Sequence, residues 1–427
     1  MKVLITGVSG FIGSHLTSAL IAAGYEVVAC ARNSAAVKQR WPGIAVIESD
    51  FSRDHETADW LPRLQGVDVV VNAVGIIRET RTQTFEALHT AAPCALFRAA
   101  ERAGVSKVIQ ISALGADETA FSRYHLSKRA ADECLLGLNL NCAIVMPSVV
   151  YGPGAGSMAF FKAVAALPVV PLVEAGEQSV QPIHIDDFTQ AVVQLITPDA
   201  PTKLRIAMVG PQPITIKIMF TRLRQWLGMS HIRFVRLPYG LASIAARLGG
   251  LMGNTPMTPE TVQMLRKGNT GDVEPFVARF GFMPMSFDAA LARTPAQQSD
   301  RWHAGLYFLR PLLRLSIAFV WIFTGVVSAL FFPLQQSYAM LAEVGIAGIW
   351  GPVMLYSAST MDLLLGVATL VSYRLPLVAL MQIAVMLIYT FIITFALPEQ
   401  WLHPFGPVSK NLPLIVATII MVVLERR

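Results

Sequence analysis

The chain has 427 residues, 54% of them hydrophobic and 15% charged, with a mean hydropathy of +0.52. That balance excludes an ordinary soluble protein, an intrinsically disordered chain and a collagen-like fibre. Of the 34 basic and 28 acidic residues only nine fall in residues 311–427, so a soluble part precedes a membrane part, and a net charge of +6 without basic runs or interleaved aromatic residues excludes a nucleic-acid surface.

The first seven residues hold one lysine and an apolar run far shorter than the core of a signal peptide, which leads us to expect that the first domain is not exported. Lys2–Thr6 reads as a strand. It ends in Gly7-Val8-Ser9-Gly10-Phe11-Ile12-Gly13, after which residues 11–23 carry apolar side chains at helical spacing and stop at Gly24. Further apolar runs at 26–31, 45–47, 67–71, 107–111 and 142–146 alternate with helical stretches at 85–103 and 124–136. This alternation predicts an α/β fold with a doubly wound parallel Rossmann sheet. The glycines have a purpose in that setting: Gly7 permits a tight turn, Gly10 lets backbone approach a pyrophosphate, and Gly13 brings the helix close to the strand with Phe11 and Ile12 opening it toward the anion. A dinucleotide is the expected occupant, although the spacing is G-x-x-G-x-x-G instead of G-x-G-x-x-G.

Arg32 follows the second strand where a Rossmann site usually carries a carboxylate for ribose hydroxyls. A guanidinium there can pair a 2′-phosphate, which favours NADP, with NAD the alternative and a merely exposed arginine the plain reading. Asp50, after the third strand, either binds the adenine amino group or caps its loop. The four cysteines (Cys30, Cys94, Cys134, Cys142) form no C-x-x-C pair, so no metal site is expected and a reducing compartment fits.

Thr6–Gly13, Asn72-Ala73-Val74-Gly75, Ser112, Tyr124-His125-Leu126-Ser127-Lys128, Pro147-Ser148-Val149-Val150-Tyr151-Gly152-Pro153 and Pro182-Ile183-His184-Ile185-Asp186-Asp187 together resemble the short-chain dehydrogenase/reductase superfamily in its extended or atypical branch, over about residues 1–300. Within it the chain is similar to the NAD(P)-binding accessory subunit of respiratory complex I, whose members often lose the tyrosine that is kept here. The resemblance implies that Ser112, Tyr124 and Lys128 are catalytic and that Gly7, Gly10, Phe11, Ile12, Gly13, Arg32, Asp50, Asn72 and Pro147 hold the cofactor. Residues four apart on a helix share a face, so Lys128 is expected to place its ammonium beside the Tyr124 phenol and lower its pKa, while Ser112 hydrogen-bonds the reacting oxygen. Met146 before Pro147, where extended relatives usually have arginine, speaks against a nucleotide-sugar epimerase or dehydratase. Asp186 or Asp187 is expected to cap a helix.

Residues 147–300 read as a smaller substrate-side region, with helices at 216–227, 241–252 and 259–267, a strand at 232–236 and a polar linker at 294–300. Residues 301–427 form the membrane part, an all-α bundle with four transmembrane helices expected at about 312–332, 350–373, 375–397 and 411–424. Arg301, Arg310, Arg314, Arg374, Arg426 and Arg427 fall on one side against Lys410 on the other, which places both termini in the cytoplasm and the protein in the cell inner membrane. His403-Pro404-Phe405-Gly406-Pro407 through Asn411-Leu412-Pro413 and Leu424-Glu425-Arg426 resemble DoxX-like membrane domains. Asp362, at mid-span, is either functional or hydrogen-bonded to Gln382 or Thr324. The expectation is a membrane-anchored NAD(P)-dependent oxidoreductase acting on a carbonyl or hydroxyl of a lipid-soluble substrate. The alternative is a non-catalytic NAD(P)H-binding subunit or assembly factor of a membrane redox complex.

Overall fold

The computed structural model describes residues 1–197, 203–252, 257–404 and 406–425, so the expectations for Phe405, Arg426 and Arg427 lie outside the described residues. The chain divides into two compact units, Met1–Ala304 and Gly305–Arg427.

In the first unit, β1 (Lys2–Thr6), β2 (Glu26–Ala31), β3 (Ala45–Glu48), β4 (Val69–Asn72), β5 (Lys107–Ile111), β6 (Cys142–Pro147) and β7 (Leu204–Met208) form one sheet in the order β7-β6-β5-β4-β1-β2-β3. Every pairing in it is parallel. Such a sheet must be covered on both faces, and alternate side chains serve two cores. Val3 and Ile5 pack with Leu16 and Phe188 on one side, while Leu4 packs with Val28, Trp60 and Phe97 on the other. Strand order reverses between β1 and β4, and in sheets of this kind ligands bind outside the carboxyl ends of the strands at that point.

A row of buried polar side chains crosses that carboxyl edge. Thr6, Asn72 and Gln110 are neighbours in the ladder; the Thr6 hydroxyl donates to Asn72 Oδ1 at 2.6 Å and Asn72 Nδ2 donates to Gln110 Oε1 at 2.7 Å. Asn72 is fully buried. Its side chain therefore ties strands together, and both of its amide atoms are engaged inside the sheet where a cofactor contact was expected.

Two boundaries also differ from expectation. His184, not an aspartate, caps the helix Ile185–Gln194, its ring accepting from the Asp186 amide. The polar stretch 294–300 is only partly a linker, because Gln298 already opens the helix Gln298–Val326. There the Asp300 carboxylate accepts from the Gln297 amide at 3.0 Å and from Lys162 at 2.8 Å, so polar residues open a helix instead of spacing two domains.

Among the described residues three helices are long and apolar enough to cross a membrane: Gln298–Phe331, which begins in the first unit, and Trp350–Leu370 and Leu375–Ala396 in the second. The expected fourth span is a helix, Asn411–Glu425, of 15 residues; at 1.5 Å per residue it covers about 22 Å, short of the roughly 30 Å of a bilayer core. Pro333 ends the first span and starts a separate short helix, Leu334–Glu343, that sequence reasoning missed. Ile317, Trp321, Leu365, Val378, Met386 and Met421 form the core. Gly366 is needed there, since a Cβ would meet the Ile322 nitrogen at 2.8 Å. Asp362 is buried, but Gln382 donates instead to Thr369 at 2.9 Å, and Asp362 Oδ1 has no hydrogen-bond partner among the described residues.

Replacing Asn72 by leucine leaves Thr6 and Gln110 unpaired in the core, and we expect a stability loss of about 2–4 kcal/mol. Thermal denaturation of the purified protein checks this; an unchanged midpoint would show that the polar row does not hold the sheet.

Candidate active site

The glycine turn sits at the carboxyl end of β1. Gly7 has φ +72°, and a Cβ on it would lie 2.6 Å from the Ala73 carbonyl oxygen of the loop after β4. A Cβ on Gly13 would collide with the Gly7 backbone, and one on Gly10 would lie 3.2 Å from the Gly7 oxygen. The turn delivers α1 (Phe11–Ala22), which starts at Gly10 with no side-chain cap. The amides of Phe11, Ile12 and Gly13 thus open the helix at a close-packed glycine turn, a helix N-terminus that fits a pyrophosphate.

Arg32 stands exposed just beyond β2. With the Gln83 amide oriented by its hydrogen bonds, its oxygen accepts from both terminal nitrogens of Arg32. Asp50 Oδ1 accepts from the Ser52 amide at 3.0 Å and the Ser52 hydroxyl at 2.8 Å. Partial burial raises its pKa, but the Ser52 bonds and then the Arg32 and Arg53 guanidiniums outweigh this and leave the carboxyl below its ordinary range. Asp50 therefore caps its loop and lies within the field of Arg32.

Tyr124 and Lys128 lie on one helix, α2 (Arg123–Leu136), which Ser122 opens by accepting from the His125 amide. Shared helical face does not make them partners. The buried Lys128 ammonium donates to the Ile111 carbonyl at the end of β5 (3.0 Å) and to the Val74 carbonyl after β4 (3.2 Å). Burial pushes Lys128 down to about 8, against the opposing pull of Asp132. Tyr124 is pushed up to about 12, first by burial and then by the Asp132 charge, so within the chain alone Lys128 does not acidify the phenol. Burial likewise raises Asp132 to about 6, against the Ser112 hydrogen bond and the Lys128 charge.

Ser112 departs furthest from expectation. Its buried hydroxyl donates to the Asp132 carboxylate, and it is absent from the cavity that Tyr124 lines. The side chain at the strand end turns into the sheet-helix interface, where its one hydroxyl proton goes to the carboxylate and not toward the cavity.

Two histidines were missed. His89 lies in a π-helical turn, Glu86–Ala91; its Nε2 accepts from the Ile76 amide at 3.0 Å and Nδ1 bonds the Ser127 hydroxyl at 2.9 Å. It thus pins the loop after β4 to the helix of Tyr124. Burial, then Lys128, pushes His89 down to about 2, so it stays neutral. His125, also kept low by burial, stands edge-on to Tyr124 with ring centroids 5.4 Å apart, and Phe85 and His89 complete an aromatic surround. Nothing in the local sequence marks His89, since its partners are distant along the chain; His125, beside Tyr124, was legible only as a neighbour.

The cavity beside Tyr124 has a volume of about 460 Å³ and a wall built mainly from Phe160, Phe161, Met257, Val262, Met264 and Leu265. Pro147, expected at the cofactor, also lines it. The structure therefore brings Tyr124 and Pro147 to one apolar cavity, places Lys128 behind them against the strand ends, and leaves Ser112 and Asn72 inside the protein. No group of three or more metal-ligating side chains occurs among the described residues.

Residues 3–210 match the NAD dependent epimerase/dehydratase family and residues 318–419 the DoxX-like family. The chain is 31% identical over 193 residues to a ceramide reductase of Caulobacter vibrioides, covering 45% of this chain and 59% of that one. It is 27% identical over 262 residues to the mitochondrial NADH dehydrogenase [ubiquinone] 1 alpha subcomplex subunit 9 of Arabidopsis thaliana, covering 58% and 63%. The chain thus spans about six-tenths of the length of these two relatives. In fold it is similar to the NADPH-dependent quinone oxidoreductase QOR2 of Escherichia coli, with a TM-score of 0.55, 17% identity and coverage of 68% of this chain and 99% of that one.

The Lys128 shift sets a pH test. Because the folded pKa lies below the ordinary 10.5, the unfolded chain binds more protons between about 8 and 10.5, and the lysine's contribution to stability rises with pH across that window. The difference in thermal midpoint between Lys128→Met and wild type should then shift in favour of wild type from pH 8 to pH 10; a pH-independent difference would remove Lys128 from its dry site.

Proposed function

We propose that this chain, an NAD dependent epimerase/dehydratase family domain joined to a DoxX-like domain, is a membrane-anchored NAD(P)-dependent oxidoreductase acting on a carbonyl or hydroxyl of a lipid-soluble substrate. The observation that carries this reading is an apolar cavity with the Tyr124 side chain in its wall, on the same strand edge as the glycine turn. Hydride exchange is the chemistry that a bound nicotinamide dinucleotide supplies. Gly7, Gly10, Phe11, Ile12 and Gly13 would hold its pyrophosphate, with Arg32 at the adenosine end selecting a 2′-phosphate and so NADPH.

Tyr124 holds its proton at neutral pH, because burial raises its pKa. A protonated phenol in an apolar wall can donate to the oxygen of a carbonyl during its reduction, and as a phenolate it would take the proton of an alcohol in the reverse direction. Behind it the buried Lys128 lies within the field of Asp132, and Ser112 donates to Asp132. The three apolar helices would fix the protein in the cell inner membrane with the catalytic domain in the cytoplasm. A second reading, a non-catalytic nucleotide-binding subunit of a redox complex, draws on the likeness to the NADH dehydrogenase subunit and on the turned-in Ser112.

Tyr124→Phe should lower turnover at least 100-fold while the NADPH dissociation constant, measured by calorimetry, stays within about twofold. If cells lacking the protein are fully rescued by Tyr124→Phe, the non-catalytic reading replaces this one. Arg32→Ala should weaken NADPH about tenfold or more, as loss of a charge-assisted bond to phosphate does, and leave NADH nearly unaffected; equal affinities in the wild type would remove Arg32 from the site.

A further inference from the structure

The membrane unit carries a groove of about 660 Å³ between the helices Trp350–Leu370 and Leu375–Ala396. Its walls are mainly apolar, with Met361, Leu364 and Ala368 from the first helix and Leu377, Val378 and Met381 from the second. Leu364 and Leu377 are exposed, so in a bilayer the groove opens to lipid. On the first helix the lining runs from Ala368 back to Tyr356, about 18 Å at 1.5 Å per residue. That is slightly more than the depth of one leaflet, half of a bilayer core of roughly 30 Å.

Among the described residues the only charged side chain that lines this groove is Arg374, in the turn between the two helices. Arg374 is exposed, and its guanidinium lies 5.7 Å from the centre of the Tyr373 ring. It makes no ion pair among the described residues, and the acid at this end of the bundle is already taken. Arg310 and Arg314 approach the Glu425 carboxylate at 3.7 and 3.4 Å, and Arg314 also donates to the Ser372 hydroxyl at 2.6 Å. Three arginines thus gather about one carboxylate, and positive charge is left over beside an apolar channel. A molecule that satisfies both features has an anionic head group and a long alkyl chain. Inorganic phosphate matches only the first feature, and a neutral isoprenoid only the second.

We propose that this groove binds one anionic phospholipid, its phosphate on Arg374 and one acyl chain laid between the two helices toward the middle of the bilayer. The guanidinium fork donates to two phosphate oxygens, a charge-assisted contact that gains strength where water is scarce. The site does not depend on the catalytic reading above.

The test is native mass spectrometry of the full chain in detergent, offered an equimolar mixture of phosphatidylglycerol and phosphatidylcholine with the same acyl chains. The wild type should retain phosphatidylglycerol about fivefold over phosphatidylcholine, and millimolar inorganic phosphate should not displace it. Arg374 has φ +40°, a left-handed conformation that asparagine tolerates, so Arg374→Asn should keep the turn and bring the ratio close to one. Ala368→Phe, which fills the groove, should lose both lipids, and it decides the matter should the asparagine variant not fold. A wild-type ratio near one, a preference that survives Arg374→Asn, displacement by phosphate, or undiminished lipid on Ala368→Phe overturns the proposal. So does a dimer that Ala368→Phe dissociates, which would put a second copy of the chain in the groove.

Discussion

The geometry around Tyr124 depends on one buried cation, Lys128. The Lys128 ammonium, 3% exposed, has no water to solvate it, so the chain must supply acceptors. It does so with two backbone carbonyls, one closing β5 and one in the loop after β4, and with the nearby Asp132 charge. Satisfying that charge ties together two strand ends and the helix that carries Tyr124. Ser112 is drawn to Asp132 for the same reason, since a buried carboxylate needs a donor as much as the lysine needs acceptors.

Around this anchor the strand edge separates into a polar side and an apolar side. The row Thr6, Asn72 and Gln110 continues toward Asp132, inside the sheet. Beyond it the side chains of Phe160, Phe161, Met264 and Leu265 line an apolar space. Burial in this wall raises the pKa of Tyr124 and keeps both neighbouring histidines neutral.

The membrane unit solves a different problem with different means. Lipid offers no hydrophobic drive for helices to meet, so close backbone approach at small residues supplies the contact. Gly325 and Gly366 do this, with positions where a Cβ would run into the Ser359 oxygen at 2.7 Å and the Ile322 nitrogen at 2.8 Å. Asp362 lies at that crossing, its Cβ 3.4 Å from where a Gly325 side chain would begin, and its Oδ1 has no hydrogen-bond partner among the described residues.

The sequence by itself determined the parallel sheet, the glycine turn and the apolar spans, because each depends on local periodicity or on a residue type with one physical use. Lys2–Thr6 followed by three spaced glycines has few other readings, and long apolar runs have little alternative to lipid. The placement of side chains that meet across the chain was decided only by tertiary structure. Spacing put Tyr124 and Lys128 on one helix face, yet the last carbonyl of β5 and one from the loop after β4 took the ammonium; the end of β5 put Ser112 at the right edge, yet Asp132 turned it inward. His89, pinned between Ile76 and Ser127, carries no local signal at all, because a hydrogen bond between distant residues leaves no period in the sequence.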